Sequence, residues 1–131
     1  MYSVEVDTDF EALHFLAASD KQEETVPHAH RYRVSVKFEG AGLNEYGYLV
    51  DIEHIDRELK RVAASFAGKL LNESPAFSGY VPSIEHFARI VCLEFALPVA
   101  GAHVSAVTVT IGENEKARAS YLHCLADGPG R

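Results

Sequence analysis

Two histidines, His28 and His30, stand one residue apart where a strand is predicted to begin, and their side chains could share a metal ion. Alternate residues of a strand point to the same side, so both imidazoles would face one ion while Ala29 faces away. His14 lies near the end of the preceding predicted strand, and a hairpin would bring it beside the pair. Three neutral imidazoles with a fourth position open to water or substrate are typical of a catalytic zinc site, whereas structural zinc sites are usually closed by four ligands.

The spacing by itself leaves a second interpretation open. With seven histidines in 131 residues, a His-x-His pair arises by chance about one time in three, a risk that every short motif carries. In this interpretation His28 and His30 are solvated edge residues, and His14 packs in the core. We expect ordinary surface or core roles for the other four histidines: His54, His86, His103 and His123.

Length and charge predict an acidic globular protein. At 131 residues the chain should form one domain, residues 1–131, with a single core. Its 12 lysines and arginines against 19 aspartates and glutamates give a net charge of −7, which disfavours nucleic acid as a partner. No apolar run approaches the roughly 18 residues that span a bilayer, so we expect no membrane partner.

The first residues and the cysteines predict a cytoplasmic location. The N-terminal stretch has neither a basic nor an apolar segment, so we expect no secretory signal. Cys92 and Cys124 lie far apart and form no Cys-x-x-Cys pair, which predicts reduced thiols.

Periodicity predicts two strands before any helix. Residues 2–16 indicate a strand that could break near Asp7–Asp9, and the polar residues 19–25 indicate a loop. From residue 28 to 38 the alternation is clean, with the histidines and apolar residues on one face and Arg, Ser and Lys residues on the other.

Two helices follow these strands. Asp51 is a good N-cap for a helix over residues 52–71, where apolar residues keep helical spacing. After a loop, Pro82 and Ser83 open a second helix over residues 84–97.

The last two elements are strands over residues 102–113 and 117–125. The order β-β-α-α-β-β predicts an α+β domain, with a four-stranded antiparallel sheet and both helices on one face. The opposite face would then need a partner, so we expect an oligomer.

Six short motifs, in order and with suitable gaps, resemble the 6-pyruvoyl-tetrahydropterin synthase family, which includes the 6-carboxy-tetrahydropterin synthases of queuosine biosynthesis. Each motif is short, but their collinearity is specific, and the resemblance runs from residue 2 to residue 121. The motifs are F-E-A-L-H (10–14), H-A-H-R-Y (28–32), G-Y-L-V-D-I (47–52), L-L-N (70–72), P-S-I-E-H (82–86) and E-N-E-K-A-R-A-S-Y (113–121).

The resemblance implies a tunnelling fold. In that fold the sheets of three subunits close into a barrel, and two trimers commonly stack as a hexamer. It also implies active sites at the subunit interfaces and a small-molecule pterin as the ligand.

The same resemblance implies particular site residues. His14, His28 and His30 match the three zinc ligands of the family. Glu113 matches the glutamate that anchors the pterin, and a carboxylate can accept parallel hydrogen bonds from the ring N–H and the exocyclic amino group. Without the resemblance, Glu113 would be an exposed charge at a strand end.

Ser83 and Glu85 match polar positions of the family's Pro-Thr-x-Glu-Asn stretch, with Ser in place of Thr and His86 in place of Asn. They are either ligand contacts or simple helix-capping residues.

The family's usual proton relay is absent from this sequence. A cysteine base should stand four or more residues before the His-x-His pair, but the loop before His28 has none, and Glu24, flanked by Glu23, lies four residues upstream. Ala67 and Gly68 occupy the positions of the Asp-His dyad that activates the cysteine, and neither side chain can transfer a proton.

Three hypotheses follow from this departure. In the first, the chain is a zinc-dependent pterin lyase that acts on dihydroneopterin triphosphate or a related pterin. It would break a carbon–oxygen or side-chain carbon–carbon bond, with Glu24 (or Glu23) as a desolvated base, as in relatives that carry glutamate there. In the second, the chain is a catalytically inactive binder of a pterin or purine-type ligand. In the third, it is a structural oligomer whose histidine cluster fixes the hairpin and binds no heterocycle.

Overall fold

A four-stranded antiparallel sheet with two helices packed on one face makes up the fold of the chain. The computed structural model describes residues 1–125. The predicted fold class and element order are confirmed. The strands are β1 (Tyr2–His14), β2 (His28–Gly40), β3 (Ala106–Gly112) and β4 (Arg118–Cys124), and the helices are α1 (Ile52–Phe66) and α2 (Ile84–Val91).

The first hairpin pairs over its whole length. β1 and β2 each have 13 residues, and their register runs from Tyr2 opposite Gly40 to His14 opposite His28. Directly opposite residues of an antiparallel pair project from the same face. The register therefore places His14 beside His28 at the end of the hairpin where β1 stops and β2 starts.

The possible break near Asp7–Asp9 does not occur, because both aspartates are engaged across the hairpin. Asp7 accepts a hydrogen bond from Arg33 at 2.9 Å, and Asp9 accepts one from Arg31 at 2.7 Å. These pairs lie on the exposed face of the sheet, which is polar in this region.

The other face of the sheet carries the core. The alternation of β2 is confirmed, since Tyr32, Val34, Val36 and Phe38 are at most 1% exposed. Helix α1 covers this face with Ile55, Leu59, Val62 and Phe66, and helix α2 covers it with Phe87, Ala88, Ile90 and Val91. No helix within residues 1–125 is long and apolar enough to cross a membrane.

Helix α1 is shorter than its apolar spacing predicts. The predicted segment is 52–71, but α1 ends at Phe66. Gly68 has a φ of 72°, in the left-handed region that favours glycine. Its N–H donates to the carbonyl of Glu11 in β1 at 2.7 Å. The chain therefore leaves the helix to bond to β1, three residues before His14.

Helix α2 begins where the sequence predicts. Ser83 is its N-cap, and the Ser83 hydroxyl accepts a hydrogen bond from the N–H of His86 at 3.2 Å. A π-helical turn over Cys92–Ala96 and a 3-10 turn over Leu97–Val99 continue α2. Both of the last strands lie inside their predicted segments.

Candidate metal centre

Three histidine rings meet at one end of the first hairpin. The ring centroids of His14 and His28 are 4.6 Å apart, and His30 lies 5.0 Å from each of them. One ring nitrogen from each histidine lies within 4.8 Å of the other two. The structure thus brings together the three histidines that the sequence singled out.

In two of the three histidines, a backbone carbonyl determines which ring nitrogen is available to bind a metal. Nδ1 of His14 lies 2.8 Å from the carbonyl oxygen of Pro82, and Nδ1 of His28 lies 2.8 Å from that of Val26. A carbonyl oxygen can only accept a hydrogen bond, so each Nδ1 must carry the hydrogen and donate it. In a neutral ring, Nε2 then keeps its lone pair, which is the form that binds a metal.

His14 shows the strongest sign that the cluster is built for an ion. It is 1% exposed, and its Nε2 is buried without a hydrogen-bond partner among the described residues. Burial lowers the pKa of His14, and the neighbouring His28 and His30 lower it further, against an opposing effect of the Pro82 carbonyl. A buried lone pair without a partner is costly unless something binds it. Three neutral imidazoles therefore fit a zinc ion with one open position.

Glu113 lies at the edge of the histidine cluster. It directly follows β3, and its N–H donates to the carbonyl of Ala117 at 3.3 Å, across the turn to β4. Its Oε2 is 3.9 Å from Nε2 of His30, and both side chains are about a quarter exposed. The carboxylate can therefore reach a ligand that approaches the histidines from solvent.

The start of α2 touches the centre through its backbone. The Pro82 carbonyl that accepts from His14 directly precedes Ser83, whose hydroxyl caps the helix. Glu85 is exposed on the first turn. The capping interpretation of Ser83 agrees with this geometry, while ligand contacts by Ser83 and Glu85 stay predictions.

Glu24 lies on the connection between β1 and β2. It belongs to a 3-10 turn, Gln22–Thr25, inside the segment predicted as a loop, and its carbonyl accepts from the N–H of Leu16 at 2.7 Å. Glu24 is half-buried, whereas Glu23 is exposed. Within residues 1–125, the metal-ligating atoms grouped with the histidines do not include the Glu24 carboxylate. Its role as a base stays a prediction.

Tyr32 lies next to the histidine cluster, although the sequence alternation indicates only that it shares a face of β2 with His28 and His30. Its ring centroid lies 6.0 Å from that of His14 and 5.7 Å from that of His30. Burial raises the pKa of the phenol, and the charge of Glu113 raises it further. The sequence feature that could have indicated this proximity is the position of Tyr32 two residues after His30, on the same face of β2.

Comparisons with known proteins agree with this architecture. The family model described as 6-pyruvoyl tetrahydropterin synthase matches residues 3–124. No curated protein matches the chain.

Several solved structures share the fold. The 6-pyruvoyl tetrahydropterin synthase of Caenorhabditis elegans is 24% identical, with 92% of this chain and 94% of that chain covered and a TM-score of 0.72. The Plasmodium vivax enzyme, in a catalytic-residue mutant that replaces a glutamate by alanine, is 16% identical over 95% of this chain and 98% of that chain, with a TM-score of 0.72. The Plasmodium falciparum enzyme is 15% identical over 94% and 99%, with a TM-score of 0.69.

The burial of neutral His14 predicts a pH-dependent stability of the metal-free protein. Burial holds the pKa of His14 below its usual 6.5 in the folded chain, so the unfolded chain binds more protons as the pH falls below this value. The free energy of unfolding is therefore greatest above about pH 7 and declines as the pH falls through 6.5 towards the folded-state pKa.

Urea denaturation of the metal-free protein between pH 8 and pH 5 measures this decline. We expect His14→Gln to lose less stability than the parent across the window, while His54→Gln, at an exposed position of α1, follows the parent. Equal losses in His14→Gln and the parent would contradict the prediction.

Proposed function

Because this chain belongs to the 6-pyruvoyl tetrahydropterin synthase family, we propose that His14, His28 and His30 hold a zinc ion and that a pterin binds beside them. The observation that carries this proposal is the buried Nε2 of His14, which has no protein partner within the described residues. The proposed substrate is dihydroneopterin triphosphate or a related pterin. The proposed reaction is a lyase reaction at the pterin side chain, by a route that does not use the family's cysteine.

Backbone carbonyls outside the histidine cluster orient two of the proposed zinc-binding residues. The carbonyls of Pro82 and Val26 fix the hydrogens of His14 and His28 on Nδ1, so both Nε2 atoms can face the ion. Zinc bound there would lower the pKa of a hydroxyl in its open position and would polarise a developing carbonyl.

Glu113 is proposed to anchor the pterin ring. A carboxylate is the complement of a ring N–H and an adjacent amino group, because it accepts two parallel hydrogen bonds. Its 3.9 Å separation from His30 supports this role, since an anchored ring would hold its side chain near the histidines. Ser83 and Glu85, at the start of α2, are proposed as secondary ligand contacts.

Glu24 is proposed as the general base. It is better shielded from solvent than Glu23, and its backbone is bonded to Leu16, two residues after His14. The solved Plasmodium vivax variant, whose replaced catalytic residue is a glutamate, supports glutamate chemistry on this fold. A base needs to be within hydrogen-bond reach of the proton only in the ligand-bound enzyme.

The alternative function is a catalytically inactive pterin or purine-type binder. It is favoured by Ala67 and Gly68, which occupy the positions of the family's dyad without a titratable side chain. The Gly68 N–H is also engaged by Glu11 of β1, so this segment has a structural role.

We also propose that residues 1–131 are one domain that assembles, in the cytoplasm, as a trimer or hexamer with sites at subunit interfaces. The sheet order leaves β1 and β4 at its two edges. Open edges of this kind suit pairing with a second copy of the chain. Both cysteines are free, as expected of a reducing compartment.

Removal of any one histidine should abolish stoichiometric zinc binding. We expect His14→Ala, His28→Ala and His30→Ala to lose the ion on dialysis, because two imidazoles remain where three were available. Metal analysis by mass spectrometry measures the content, with His54→Ala in α1 as the control that keeps it. Stoichiometric zinc in the three variants would refute the ligand assignment.

Glu113→Gln should weaken pterin binding without changing the zinc content. The amide loses the charge and one of the two acceptor oxygens, so we expect the affinity for neopterin to fall by about tenfold or more. Calorimetric titration of the zinc-loaded proteins measures this, with Glu115→Gln, on the exposed turn, as the matched control. An unchanged affinity in Glu113→Gln would contradict the anchor role.

Measurement of turnover tests whether Glu24 is the general base and distinguishes a lyase from an inactive binder. Zinc-loaded parent is incubated with dihydroneopterin triphosphate, and mass spectrometry identifies the product, whose mass distinguishes elimination from side-chain cleavage. We expect Glu24→Gln to slow the reaction by about a hundredfold or more, because the amide cannot accept the proton, while Glu23→Gln reacts like the parent.

Equal rates for Glu24→Gln and the parent would remove Glu24 as the base. A parent that binds neopterin but converts no substrate would favour the inactive binder.

A further inference from the structure

Two buried polar side-chain atoms lack a hydrogen-bond partner in the described part of the chain, and they belong to two neighbouring rings. They are Nε2 of His14 and the hydroxyl oxygen of Tyr32. Their rings are 6.0 Å apart and nearly perpendicular, at 87°. Since almost every buried polar atom in a folded protein is paired, two neighbouring exceptions point to one shared ligand site.

No contact around Tyr32 in the ligand-free protein requires its hydroxyl group. The residue is fully buried, and its ring packs against Phe87 at 5.5 Å and Phe10 at 6.1 Å between centroids. A phenylalanine would make the same ring contacts without burying an unpaired hydroxyl, which carries a desolvation cost. A tyrosine at this position is therefore unfavourable for folding alone.

Three of the side chains around the site have no free hydrogen-bond donor to offer a ligand oxygen. His14 and His28 already use their N–H groups on the carbonyls of Pro82 and Val26. Glu113 can only accept hydrogen bonds when it is ionised. The Tyr32 hydroxyl keeps a hydrogen that no described residue accepts, and its ring lies next to histidines that can hold a metal.

We propose that the Tyr32 hydroxyl donates a hydrogen bond to an oxygen atom of the ligand that binds between the three histidines and Glu113. This inference rests on the proposed pterin function, and it assigns the contact to a hydroxyl or carbonyl oxygen of the pterin side chain. Tyr32 thus contributes to ligand binding, and its hydroxyl lowers the stability of the ligand-free protein.

Tyr32→Phe tests both consequences in the full chain. In the metal-free state we expect the variant to melt about 3 °C higher than the parent, because the unpaired hydroxyl is gone while the ring stays. In the zinc-loaded state we expect its affinity for neopterin to fall about fivefold to tenfold, the effect of one neutral hydrogen bond. The zinc content should be unchanged. Tyr46→Phe, at a position 72% exposed, is the control for both measurements.

Two outcomes would overturn the inference. A variant that melts lower than the parent would show that the hydroxyl has a partner in the ligand-free protein. A variant that binds neopterin as tightly as the parent would show that the hydroxyl makes no contact with the ligand. If the parent itself binds zinc but not neopterin, the proposed function fails. The assigned contact with a pterin oxygen then fails with it, and a higher melting temperature of Tyr32→Phe would show only that the hydroxyl is unpaired in the ligand-free protein.

Discussion

The continuous ladder between β1 and β2 is the constraint on which the site depends. Its register sets His14 opposite His28 and leaves His30 two residues further along the same face. Because side chains alternate along a strand, a slip of one residue would turn the His14 ring away from the pair and towards solvent. The ion pairs of Asp7 and Asp9 with the arginines of β2 lie on the opposite face and hold the same register.

Burial of His14 connects this hairpin to the rest of the fold. The ring has left water, which favours its neutral form, and both of its nitrogens need suitable partners. One nitrogen donates to the Pro82 carbonyl, just before α2, and the other has a lone pair that suits a metal. The capped start of α2 is therefore tied to the metal centre as well as to the core.

The segment after α1 is held in place by its backbone. Gly68 adopts a left-handed conformation and bonds through its backbone to Glu11 of β1. This contact needs no side chain, so the fold accommodates Ala67 and Gly68 at these positions. Because neither side chain can transfer a proton, the base of the proposed lyase reaction would have to lie elsewhere in the site.

The sequence by itself determined the features that depend on neighbours along the chain. Alternation placed His28, His30 and Tyr32 on one face, and Asp51 and Ser83 were recognisable as helix caps, because strand faces and caps are local properties. Collinear motifs identified the family, although spacing alone could not choose between a metal site and chance.

Only the tertiary structure decided which groups meet. The Pro82 carbonyl reaches His14 from 68 residues away, and Glu113, just after the end of β3, lies 3.9 Å from His30 of the neighbouring strand β2. The tertiary structure also showed that α1 ends at Phe66. The apolar spacing of the sequence continues beyond this residue, but the backbone bonds to β1 there instead of extending the helix. These contacts follow from strand register and helix packing, which no local pattern encodes, and they turn three histidines in a sequence into one candidate metal centre.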